Sequence, residues 1–134
     1  MPSIIVIEDE NISMWFHPES KILHHQTHQF FSGKSFRDAL NRGVETFENY
    51  GAQKWLSDDR ETPSLAKEDL EWGDRDWFPR VAKLGWKYWA IVMPENAVGQ
   101  RTLTRLAETY SARGVVTRFF SSSEAAKKWL EECS

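Results

Sequence analysis

Three groups of residues in this chain could do chemistry, and each closes a stretch that reads as a β-strand. Asp58, Asp59 and Arg60 follow residues 54–57, Glu95 and Asn96 follow 88–93, and Ser121 and Ser122 follow 115–120. Ligands of open α/β sheets sit outside the carboxyl ends of parallel strands. The three groups are therefore predicted to share one rim, which is the candidate binding site. Adjacent carboxylates there could hold a divalent cation, and amides beside Ser122 at a helix N-terminus could receive an anion. The plain use of the same residues is turn and cap chemistry, with Arg60 in a surface ion pair.

A second group is aromatic. Trp72, Trp77 and Trp86 surround an irregular crossover between residues 62 and 86. They either cover an apolar pocket or partner surface, or fill a small core beneath a long loop. The chain has seven tryptophans, enough that some are expected at a surface or pocket.

Signals for catalysis and metal binding are weak. There is no Gly-x-Ser-x-Gly and no glycine-rich phosphate loop, and the lone cysteine, Cys133, is next to last. His24, His25 and His28 suggest a metal, but on a strand His24 and His28 lie roughly 13 Å apart on one face. Bonds near 2 Å cannot bridge that distance. His25 faces the other way, and the three read as polar residues on an exposed strand face. No enzyme activity, cofactor or metal is expected.

With 134 residues, the chain is long enough for one domain, 1–134, with a real core. A net charge of −3 leaves no basic footprint for nucleic acid or an anionic membrane. One cysteine excludes a disulfide framework within the chain. No apolar run approaches the roughly 20 residues of a membrane span, and residues 1–10 lack a signal-peptide pattern. A cytoplasmic protein is expected.

These residues need a scaffold, and the chain supplies one in order. Residues 4–7, 12–16 and 22–30 alternate or are β-branched and predict an antiparallel meander, with 22–30 as an edge strand that could pair with itself in a homodimer. Ser35 is placed to cap a helix that Gly51 stops, with Phe36, Leu40, Val44 and Phe47 facing the sheet. Thr62-Pro63 resembles a cap with proline at the first helical position. Asp76 can cap a second helix through Leu84, with Pro79 in its first turn. Residues 88–93 form the most apolar strand, expected to be central. Leu103, Leu106, Ala107 and Tyr110 face a third helix inward, and Gly114 closes it. Ser121 and Glu124 spell a capping box ahead of a last helix bearing Trp129 and Leu130. Alternating strands and helices argue for parallel βα units after the meander.

Residues 4–10, Ile-Ile-Val-Ile-Glu-Asp-Glu, look like the opening of a response-regulator receiver domain, whose acidic pair binds magnesium. A receiver needs a long helix next; here residues 12–16 alternate and Pro18 intervenes, so a hairpin turn fits better.

The ordered combination of Lys54-Trp55-Leu56-Ser57-Asp58-Asp59, Glu68-Asp69-Leu70-Glu71-Trp72, Trp77-Phe78-Pro79-Arg80, residues 85–92, Arg118-Phe119-Phe120 and residues 123–130 resembles the SpoIIAA-like group of STAS-fold domains. The resemblance covers most of the chain from about Ile12. It implies a mixed sheet with helices mainly on one side and no established enzyme activity. Anti-sigma-factor antagonists of this fold carry a phosphorylatable serine in an Asp-Ser-small-Gly turn. Here the matching turn, residues 57–64, has no glycine, and a phosphate on Ser57 or Ser64 would meet Asp58, Asp59 and Glu61. Related lipid-carrier folds imply an apolar ligand instead. Two readings follow: a non-catalytic regulatory domain working through protein contacts, or a carrier or sensor of a small apolar, lipid-like ligand seated between the sheet and residues 68–86.

Overall fold

A computed structural model describes residues 2–134 as an α/β protein built on one six-stranded mixed sheet. The strands are β1 (Ile4–Glu8), β2 (Ile12–His17), β3 (Ile22–Thr27), β4 (Lys54–Asp58), β5 (Tyr88–Val92) and β6 (Val116–Phe120). They lie side by side in chain order, β1 to β3 antiparallel and β3 to β6 parallel. The meander followed by parallel units is as the alternation predicts. That sequential order is not the doubly wound order of a receiver.

One expectation about strands is overturned. β3 is interior, hydrogen-bonded to β2 on one side and β4 on the other, so it offers no edge for self-pairing. The edges are β1 and β6. The sequence signal misleads because a strand joined to a helix at its end looks terminal until the parallel partner is known.

Helices connect the parallel strands: α1 (Lys34–Tyr50), α2 (Lys67–Trp72), α3 (Phe78–Lys83), α4 (Ala97–Ser111) and, after β6, α5 (Ser123–Glu132). α2 and α3 are one continuous segment, joined by a wider π-helical turn, Gly73–Trp77, in which Phe78 N–H donates to Gly73 C=O. Pro79 explains the widening, since its ring would meet the carbonyl four residues back in a regular helix. Asp76 therefore lies exposed inside this segment and starts no helix. Thr62-Pro63 likewise precedes only loop, and helix begins at Lys67.

The start of α1 also differs. Its N-cap is Gly33, with no side-chain cap, and Ser35 is already helical. Asp69 of α2 accepts from the Gly33 N–H at 3.0 Å and from Arg37 Nε at 3.1 Å, which anchors that end from outside. At the other end Gly51 adopts φ 66° and its N–H donates to Phe47 C=O, as predicted. Before α5 the cap is Ser122, whose hydroxyl accepts from Ala125 N–H at 3.2 Å, so the Ser121–Glu124 capping box does not form.

Two cores flank the sheet. On one face α1, α3 and α4 cover Ile12, Met14, Phe16, Leu23, Trp55, Trp89 and Ile91. On the other, α5 alone covers Ile22, Leu56, Ala90 and Val92 with Ala126 and Leu130. β4 and β5 are apolar on both faces, so both need cover. On the α5 side β2 and β3 carry Trp15, His17 and His24, only partly buried. No helix of the described residues is long and apolar enough to cross a membrane.

Candidate functional site

Adjacent residues at the end of a strand point to opposite faces, and this divides the predicted rim. Asp58 goes to the α5 side, and Asp59 to the side of α1 and α4. Asp58, 3 % exposed, accepts from Arg60 Nε at 2.9 Å and Nη2 at 2.6 Å, a bidentate pair. Burial pushes the Asp58 carboxyl up, but the side-chain and backbone bonds from Arg60 outweigh it and leave the group below its ordinary range. The pair is closed on itself and offers no vacant ligand.

Glu95 and Asn96 do lie beside the β4 turn. Glu95 N–H donates to Arg60 C=O at 3.3 Å, and Asn96 donates to Thr62 C=O at 2.9 Å. Asn96 also caps α4, accepting from Gly99 N–H at 2.6 Å. Their side chains build loops: Glu95 is exposed and Asn96 is occupied as a cap. Ser121 is exposed, and Ser122 is the α5 cap. Ser64 is half-buried in the loop after β4.

Asp59 leads to a different place. It lines a cavity of ≈ 80 Å³ between the sheet and the α2–α3 segment, with His25, Ser57, Asp69, Trp77 and Trp86 among its other lining residues. Trp55, Trp89 and Tyr110 complete the inner walls, and half-buried Phe31, Phe36, Leu65, Leu70 and Leu106 form the outer ones. Gly73 and Trp77, the two ends of the π turn, both reach it. Such turns recur at functional sites.

The aromatic walls are one connected cluster. Trp55 and Trp77 lie 5.4 Å apart at 76°, Trp77 and Trp86 5.6 Å at 70°, and Trp86 and Trp89 5.5 Å at 56°. All four indole N–H groups are used inside the protein. Trp55 donates to His25, Trp77 to Leu40 C=O, Trp86 to Tyr88 C=O and Trp89 to Ser57 Oγ. What these rings present to the cavity is thus apolar π surface. Burial raises the Tyr110 phenol above its ordinary pKa, so it stays neutral.

The polar floor is small and specific. Trp55 Nε1–H donates to His25 Nδ1 at 2.8 Å, and His25 Nε2 lies 3.6 Å from Asp59 Oδ1. Thr62 Oγ1 donates to the same carboxylate oxygen at 3.2 Å. His25 is thus buried and oriented, whereas strand alternation alone suggests an exposed polar residue. Its partners come from β4, some 30 residues away, so no local pattern could reveal them. Ser57, beside His25 in the β3–β4 register, is buried and accepts from Trp89. Trp77 and Trp86 reach the cavity as the sequence suggests, while Trp72 is buried under Arg37 and Arg80, 5.5 Å and 6.0 Å from its ring.

A second depression, between β1 and α1, is polar and carries Asp9, Asn11, Asp38, Asn41, Arg42 and Glu45. Arg42 and Glu45 pair at 3.3 Å across exposed side chains, so water is not excluded there. Among the described residues no group of three or more His, Cys, Asp or Glu could hold a metal ion. Compared with protein-family models, curated proteins and solved structures, the chain matches none.

Proposed function

We propose that this chain is a non-catalytic, STAS-like small-molecule-binding domain whose ligand sits in the cavity under the α2–α3 segment. One observation carries the reading: aromatic walls close around a floor where the His25 and Asp59 side chains converge. A largely apolar pocket with few convergent polar groups is the usual form of a binding site. The meander followed by parallel units supports the STAS-like assignment.

The same geometry speaks against catalysis. Trp55 occupies His25 Nδ1 and Asp59 faces Nε2, so Ser57 has no base beside it. The cavity is also well below the roughly 300–1,000 Å³ of drug-sized sites. It favours a small ligand, or one end of a larger one, over an enclosed lipid chain.

Native mass spectrometry of gently purified protein, beside its denatured mass, tests this. A non-covalent small-molecule mass that disappears in Gly73→Leu, which fills the cavity, is the expected result. An apo mass, with no thermal shift from any small apolar or amphipathic probe, contradicts it.

A second reading, regulation through protein contacts, draws support from β6. This edge strand exposes Val116 and Phe119, and unpaired edges recruit other chains. A concentration-dependent dimer by sedimentation that Phe119→Lys abolishes would favour it; a monomer at all concentrations would not.

A further inference from the structure

We infer that the cavity selects a cation, the ammonium head of a methylated amine; this rests on the cavity being a small-molecule site. Among the described residues its lining includes two carboxylates, Asp59 and Asp69, and neither lysine nor arginine. Asp69 is compensated from outside by Arg37 and the Gly33 amide. Asp59 is not. It is 6 % exposed, and among the described residues its side-chain partners are the Thr62 hydroxyl and His25.

His25 could balance that charge only as imidazolium, with a proton on each ring nitrogen. Its Nδ1, however, accepts the Trp55 indole N–H, and a nitrogen that accepts a hydrogen bond carries no proton of its own. The bond therefore leaves only the Nε2 side of the ring to face Asp59, and among the described residues no lysine or arginine pairs with that buried carboxyl group. Buried charges are normally paired. A ligand cation supplies the missing partner.

The walls suit the same ligand. Indole rings inclined at 49° to 76° to one another present π surfaces in several directions, and their N–H groups are already engaged. Ring faces attract cations, and cages of such rings recognise methylated ammonium. The ≈ 80 Å³ cavity is about half the ~150 Å³ that takes benzene, which is the scale of a methylated ammonium head. A free amine and a methylated lysine of a partner offer the same head.

The test is calorimetric titration of the full chain with trimethylammonium chloride and with isopropanol, a neutral molecule of equal heavy-atom count, against a sodium chloride control. Trimethylammonium is expected to bind at least about tenfold tighter than isopropanol, a difference of about 1.4 kcal/mol. Asp59→Asn should bring the two near parity. If that variant does not fold, the ratio in the unsubstituted protein still decides. Isopropanol binding as well as the cation overturns the charge selectivity and leaves the small-molecule site standing. Binding of neither overturns the cation selectivity, and the native mass measurement then decides the small-molecule site separately. A peptide carrying dimethyllysine, run in parallel, assigns the head to a partner's lysine if it binds tighter than the free ion, and to a free amine if it does not.

Discussion

Trp55 donates its indole N–H to Nδ1 of His25 at 2.8 Å, and that bond decides which imidazole nitrogen carries the proton. With Nδ1 accepting, the ring hydrogen sits on Nε2, which lies 3.6 Å from Asp59 Oδ1. The tautomer at the cavity floor follows from this one contact.

Long-range nitrogen–proton correlation spectra should therefore show His25 as the Nε2–H tautomer at neutral pH. Trp55→Phe should release that constraint and cost about 2–4 kcal/mol in unfolding free energy, from a lost buried hydrogen bond and lost ring volume. An Nδ1–H tautomer in the unsubstituted protein would contradict the assignment.

Gly43 lies in α1 directly over the same indole. A Cβ there would overlap Trp55 Cη2 and press on Leu23 Cδ2 at 3.1 Å. Alanine improves helix propensity by about 1 kcal/mol, but overpacking costs about 1–3 kcal/mol. Trp55 is tied at its other edge and cannot withdraw, so Gly43→Ala should lower stability on denaturant titration. A stabilised variant would show that the indole has room to move.

On the α5 side, His24 and its hydrogen-bonded neighbour His17, both lowered chiefly by burial, shape the acid response. Burial, then the neighbouring His17 and His25, lower the His24 pKa to about 4 from 6.5. Between those values the unfolded chain binds the extra proton, so stability is full above about pH 6.5 and falls as pH drops toward 4. The shift corresponds to about 3 kcal/mol. His24→Gln should reduce the slope of the stability profile over that window, leaving the smaller share due to His17. Asp58, also depressed, acts in the same direction but below its ordinary 3.8, so the two losses separate on the pH axis.

Arg60 closes the bidentate pair with Asp58, and its own side chain is 40 % exposed. Arg60→Lys keeps the charge but loses the fork. A loss of about 1–2 kcal/mol, between exposed and buried pairs, is expected for both Arg60→Lys and Arg60→Ala. Full rescue by lysine would mean that charge alone matters.

Much of the scaffold was legible because its signals are local: alternation in residues 12–16, β-branching in 4–7, and glycine at 51. The α5 placement was not read: the resemblance implied helices mainly on one side, and α5 covers the other face. Leu56, Ala90 and Val92 make β4 and β5 apolar on the face opposite Trp55 and Trp89, which demands a second cover. The site was half legible. Strand ends pointed to Asp58 and Asp59, and period-2 alternation separates them. His25 depended on the β3–β4 register, which sets Leu23 beside Trp55 and His25 beside Ser57 across a 17-residue helix. Nothing local encodes that pairing. The fused α2–α3 segment was hidden for a related reason, since Pro79 normally marks a break and here is absorbed by a π turn.

The most direct test of a ligand cavity is the indole N–H region of a nitrogen–proton correlation spectrum during titration with trimethylammonium and, separately, isopropanol. Saturable shifts are expected at Trp55, Trp77, Trp86 and Trp89 with at least one probe, while Trp15 and Trp129 on the opposite face stay fixed. No movement of the four cavity indoles, or movement confined to Trp15 and Trp129, would contradict the ligand cavity.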